Sequence, residues 1–244
     1  MDLSEQPGDL DFVVRWMREV GDPWLRSEYE VAEGSPLSGD DRDGSQVSEI
    51  ARYGLVVAID HLGSVTDALQ GEKPIRHFAH FTALRTVLLV SARTVWLLTP
   101  AARAERRSRA IRIRITALNE WRRGTKSLGG GLADDELKTH DQVVEELRRA
   151  RDELKLKDPA AAAMKLDTAE QIREQVGADD HYGAGVAYLW NTGSAAAHGY
   201  HWISSARSNP QMFDQEWFEA AVYAAWLRLN EAFEMFVAKS RKPY

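Results

Sequence analysis

Apolar residues along this chain recur at intervals of three and four, the period of an amphipathic helix, and strict alternation is rare. The first such stretch, residues 9–20, puts Phe12, Val13, Trp16 and Val20 on one face. Gly21-Asp22-Pro23 is expected to end it. Residues 33–45 carry Gly34, Ser35, Pro36, Ser38, Gly39, Asp40, Asp41, Asp43 and Gly44, a composition that predicts a flexible loop with nothing to pack.

Two long helices should follow, over residues 46–69 and 74–99, with Pro74 opening the second and Pro100 starting a fresh turn. The helix expected over 101–127 is rich in arginine, with Ala104, Ser108, Ile111, Ile115 and Leu118 forming its packing stripe. Within it, Ile111-Arg112-Ile113-Arg114-Ile115 also fits the two-residue period of a strand, but the flanking pattern favours helix. Gly129-Gly130-Gly131 breaks that helix. A charged helix over 134–157 follows, with Leu137, Val144, Leu147, Arg151 and Leu154 spaced for partial burial and the rest solvated. Further helices are expected over 164–176, 181–203 and 214–238.

The expected fold is therefore all-α, a single domain over residues 1–244 built as an irregular bundle of seven or eight helices. Its 44% hydrophobic and 28% charged content is that of a chain able to bury a core. With no cysteine there is no disulfide framework, thiolate metal site or cysteine nucleophile. The acidic start, Met1-Asp2-Leu3-Ser4-Glu5, does not read as an export signal, so a cytoplasmic location is expected. Residues 78–98 approach membrane-spanning length, yet Arg85 and Arg93 fall inside them, which argues for a core helix and no membrane. A net charge of −6 disfavours broad nucleic-acid binding and leaves a locally basic surface open.

Candidate chemistry concentrates near the C-terminal end. Tyr188, Asn191, Ser194, His198 and His201 follow steps of three or four residues, so a continuous helix would line them along one face. Gly183, Gly185, Gly193 and Gly199 let a neighbour or a ligand come close. The stripe reads first as a hydrogen-bonded helix contact or an exposed face. In the functional reading His198 is the general acid or base, Ser194 lies one turn earlier, and Tyr188 and Asn191 orient a substrate.

The stretch from Tyr188-Leu189-Trp190-Asn191 through Ala197-His198-Gly199 resembles the closing motif of helical bacterial proteins of unknown function, some of them HEPN-like. The middle helices, with Arg85, Arg93, Pro100 and the arginines from 106 to 109, are similar to the arginine-bearing centre of such proteins. The resemblance implies a helical fold, homodimerisation, and RNA cleavage through an arginine followed four to six intervening residues later by histidine. No histidine here has an arginine at that spacing, and Asn191 stands six intervening residues before His198.

Two further candidates come from charge and ligand type. His77 with His80, and His198 with His201, are pairs that could meet across packed helices, but no acidic residue is fixed beside them, and no metal is expected. Arg106, Arg107 and Arg109, with Arg85 in the preceding helix, could hold an anion, RNA or a nucleotide. The competing reading pairs the arginine-rich helix with the acidic 134–153 segment, and pairs Arg85 with a carboxylate or carbonyls. Phosphate-loop, dinucleotide, serine-hydrolase and zinc-protease signatures are missing, so no cofactor is expected. The first functional expectation is a non-catalytic binding or interaction protein of an accessory bacterial system, with an unknown protein partner. The second is a HEPN-like enzyme directed at RNA or a nucleotide.

Overall fold

A computed structural model describes residues 10–41, 45–71, 75–127, 134–157, 181–205 and 215–242. The chain is an all-α helical bundle protein, with no strand among the described residues. In order come α1 (Leu10–Trp16), a π-helical turn (Met17–Gly21), α2 (Asp22–Arg26), α3 (Pro36–Asp40), α4 (Val47–Gln70) and α5 (His77–Leu98). After them run α6 (Arg103–Ser127), α7 (Asp134–Lys157), α8 (His181–His198), α9 (Trp202–Ser205) and α10 (Gln215–Ser240). Pro74, the glycine trio at 129–131 and the helix expected over 164–176 lie outside the described residues.

Two boundaries differ from expectation, while the helix favoured over 111–115 is present. Gly21-Asp22-Pro23 does not end the first helix: the wider π turn leads directly into α2, and Pro23 sits in its first turn, where the missing N–H is not needed. The Ile-Arg alternation at 111–115 is helical, with Ala110 and Ile111 buried and Arg112 and Arg114 half-buried. The expected loop at 33–45 contains α3, whose capping residue Ser35 accepts the Ser38 N–H at 3.1 Å. Leu37 and Asp40 in that helix are fully buried. Its polar composition therefore supplies a cap and a buried charge.

The chain clusters into two compact units. The first comprises Met1–Glu30, Arg52–Trp96 and Thr168–Ala238. Its centre is aromatic: Phe12 meets Trp226 edge to face at 4.8 Å, Trp16 meets Phe233 at 5.7 Å, and Trp24 meets Phe233 at 5.6 Å. Such pairs contribute about 0.5–1.5 kcal/mol each beyond the area they bury. Leu55, Ile59 and Leu62 of α4, Leu84 and Leu88 of α5, and Leu229 of α10 are fully buried in the same unit. The span Phe78–Leu98 is long and apolar enough to cross a membrane, and 61% of its most apolar window is buried within the protein. That burial is the habit of a core helix.

The second unit comprises Val31–Ala51, Leu97–Asp167 and Lys239–Tyr244. Its core includes Leu37, Val47, Leu97, Leu98 and Ile111, with Val144 and Leu147 from the otherwise solvated α7. Asp40, wholly buried, is its electrostatic centre. Arg106 donates Nε to Asp40 Oδ2 at 2.6 Å and Nη2 to Oδ1 at 2.9 Å, and Arg103 donates Nε to Oδ1 at 3.0 Å. Farther along, α6 and α7 meet where Arg122 binds Asp141 at 2.5 Å and the His140 Nε2–H donates to the Leu118 carbonyl at 2.8 Å.

Candidate functional site

α8 is built from small and apolar residues, so it can pack closely on one side and present polar groups on the other. Val186, Leu189 and Ala195 are buried. Thr192 is buried as well, and its hydroxyl donates back to the Tyr188 carbonyl at 2.8 Å. Gly193 makes the tightest approach: a methyl group there would lie 2.5 Å from Arg85 Cβ and 2.7 Å from the Phe81 carbonyl oxygen. α8 and α5 cross at this point because position 193 has no side chain.

The helix stops sooner than expected. Gly199 adopts φ +68°, its N–H donates to the Ala196 carbonyl at 3.3 Å, and the Tyr200 N–H donates to the Ala195 carbonyl at 2.9 Å. These two bonds form a Schellman cap, which requires the left-handed conformation that glycine adopts without cost. The expected continuous helix over 181–203 is thus two, α8 and the short α9. The break removes His201 from the stripe, because helical spacing no longer relates it to His198.

The remaining stripe residues are distributed as follows. Tyr188 is half-buried and stacks on Trp217 with ring centroids 4.2 Å apart. Asn191 is exposed, Ser194 is half-buried, and His198 is exposed with its ring 5.7 Å from that of Tyr200. Among the described residues no hydrogen bond joins Ser194 to His198, and no carboxylate orients the imidazole. His198, Tyr200, His201 and Trp202 form one exposed run at the end of α8 and the start of α9.

The candidate anion residues separate into two groups. In the second unit, Arg106 spends its donors internally, on Asp40 and, through Nη1, on the Pro100 and Ala101 carbonyls at 2.7 and 2.9 Å. Arg109 is buried and binds Glu105 at 2.5 Å, while Arg107 is half-buried. Internal pairing therefore takes Arg106 out of the anion reading, although its principal partner is Asp40 and not the 134–153 segment. Arg114 is held below the ordinary arginine range by burial, with Glu49 acting the other way.

In the first unit, Arg85 has neither of its two expected partners among the described residues. Its guanidinium carbon lies 4.2 Å from the centre of the Trp190 ring, a cation–π contact of about 1 kcal/mol. Its Nε is buried without an acceptor, and burial lowers its pKa from the ordinary value. Arg93, two turns on, shows the same signs: a buried Nε without an acceptor and a pKa lowered by burial. Of the histidine pairs, the His77 side chain lies outside the described residues, whereas His80 Nδ1 accepts the Arg76 N–H at 3.2 Å. The His80 pKa is lowered, first by burial and then by the Arg76 charge.

Trp190, Tyr200 and Trp202 are aromatic residues that sequence periodicity did not single out. Trp217 falls on the apolar face of α10 by spacing, yet it is exposed at the start of that helix. No family model matches the chain, and no curated protein or solved structure matches it either.

Proposed function

We propose that this chain is a cytoplasmic, non-catalytic interaction protein of an accessory bacterial system, and that it binds a partner protein through the surface where α8 gives way to α9. The bacterial setting comes from the resemblance at residues 188–199. One observation carries the binding reading: Tyr200 is 61% and Trp202 42% exposed, with exposed His201 between them and exposed His198 at the capped end of α8 just before. Large rings held in water on ordered backbone mark interaction surfaces, and Trp and Tyr are the residues that most often anchor them. Trp217, 45% exposed and stacked on Tyr188, adds a second aromatic spot about 15 Å back along α8, counting 1.5 Å per residue.

A photo-crosslinking amino acid in place of Tyr200 tests this inside cells, with the same replacement at exposed Tyr53 of α4 as the control. We expect a defined protein crosslinked from position 200 and not from 53, with purified partner binding weakened about tenfold or more by Trp202→Ala. Identical products from both positions would remove the reading. A second copy of this chain as the product would make the interaction a homodimer.

The enzyme reading keeps one supporting feature: the His198 imidazole is exposed, with Ser194 a turn before it. Total RNA and a nucleotide panel incubated with wild type and His198→Ala decide it. Conversion by wild type alone assigns His198 as acid or base and displaces the non-catalytic reading.

A further inference from the structure

The chain holds 37 acidic residues, yet residues 77–98 and 181–205 contain no Asp or Glu. In those two segments, which contain α5 and α8, the formally charged side chains are Arg85 and Arg93. These two segments therefore bring positive charge and no negative charge of their own to the place where α5 and α8 meet.

Arg85 sits at that meeting point in an unusual state. Its Nε is buried without an acceptor, whereas the residue as a whole is half-buried, so the outer Nη edge reaches the surface. Among the described residues no carboxylate or carbonyl pairs with it, and its contact partner is the face of Trp190. A guanidinium whose carbon rests 4.2 Å from the Trp190 ring centre keeps its Nη edge for a ligand, and that edge can receive two oxygens. Its partly desolvated guanidinium, without an ion-pair partner among the described residues, gains one when an anion arrives.

Ser194 extends the donor set. It follows Trp190 by one helical turn and therefore shares its side of α8. The Thr192 hydroxyl is spent on the Tyr188 carbonyl, but the half-buried Ser194 hydroxyl makes no hydrogen bond among the described residues. The helix crossing at Gly193 brings the Arg85 stem against the backbone between Trp190 and Ser194. A carboxylate offers two oxygens, which the Arg85 edge alone would occupy. A phosphate offers a third to the serine.

We propose that Arg85, backed by Trp190 and extended by Ser194, is a binding site for a phosphate group. The site is separate from the Tyr200 and Trp202 surface, so it stands or falls without the partner-protein reading. The phosphate is either free or carried by a small phosphomonoester such as a nucleoside monophosphate.

Calorimetric titration of the full chain tests it, using inorganic phosphate, adenosine monophosphate and acetate at matched ionic strength. Wild type should bind phosphate measurably and acetate about tenfold more weakly or not at all. Arg85→Met should weaken phosphate binding about tenfold or more, and Ser194→Ala about threefold to tenfold, as expected for a charge-assisted and a neutral hydrogen bond. Arg85→Lys keeps the charge but loses the planar fork, and should fall between wild type and Arg85→Met. Tighter binding of the nucleotide than of phosphate identifies a phosphomonoester, and equal binding identifies the free ion. If Arg85→Met loses its helical circular dichroism, Arg85→Lys and Ser194→Ala carry the decision. The proposal is overturned by a wild type that binds no phosphate, or by wild-type affinity in both of those variants.

Discussion

Gly193 stands where two opposing effects can be compared at a single position. Alanine would gain up to about 1 kcal/mol of helix propensity over glycine in the middle of α8. Its methyl group, however, would come within 2.5 Å of Arg85 Cβ and 2.7 Å of the Phe81 carbonyl oxygen. Overpacking of this kind costs about 1–3 kcal/mol, and it prevails here because one obstacle is backbone and cannot rotate away. Gly193→Ala should therefore lower stability in urea unfolding, whereas Gly185→Ala, with nothing within 4 Å of the new methyl, should be neutral or stabilising. An equal response at both positions would mean that α5 and α8 do not meet at Gly193. The sequence marks this segment as rich in small residues, but residue type alone does not separate the uses of its glycines. Gly193 serves contact, Gly199 serves a cap, and Gly185 faces open space.

Among the elements, α3 was the least legible. Its residues are those of a loop, and the interaction that holds it lies 63 and 66 positions away, at Arg103 and Arg106. No periodicity in a short polar segment reports a partner that distant. The Ile111, Val144 and Leu147 stripes, in contrast, were legible because burial of a helix face imposes a repeat on the sequence itself. The buried pair in α3 and α6 makes a strong prediction. Asp40→Asn would keep the volume and remove the counter-charge, leaving a buried Arg106 uncompensated at a cost of about 3–5 kcal/mol. Urea unfolding and faster amide exchange in Pro36–Asp40 and Arg103–Ser127 would report it. Asp40→Asn combined with Arg106→Met should recover part of the loss, since the orphaned charge is then gone. A single substitution within about 0.5 kcal/mol of wild type would show that the pair is not buried in solution.

For the whole molecule, helical class could be read because nearly every apolar repeat has the same period, while charge balance says little about where charge is needed. The net charge of −6 is compatible with a core helix that holds two arginines and no acid. Stability against pH shows how one such local imbalance reaches the global equilibrium. His80 is partly buried and lies beside the Arg76 charge, and both effects lower its folded pKa below the ordinary 6.5. The Arg76 N–H donating to Nδ1 also favours the neutral ring. The unfolded chain therefore binds the proton more readily, so unfolding takes up protons and stability rises with pH across that window. The contribution is complete above about pH 6.5 and is lost as pH falls through 6.5 toward the folded value. Asn at position 80 keeps an acceptor near Nδ1 and cannot titrate. The difference in unfolding free energy between wild type and His80→Asn should thus be constant above pH 7 and shift against wild type as pH falls from 7 to 5. A difference that stays flat over that range would mean His80 is as solvated in the folded chain as in the unfolded one, and that the Arg76 contact does not persist.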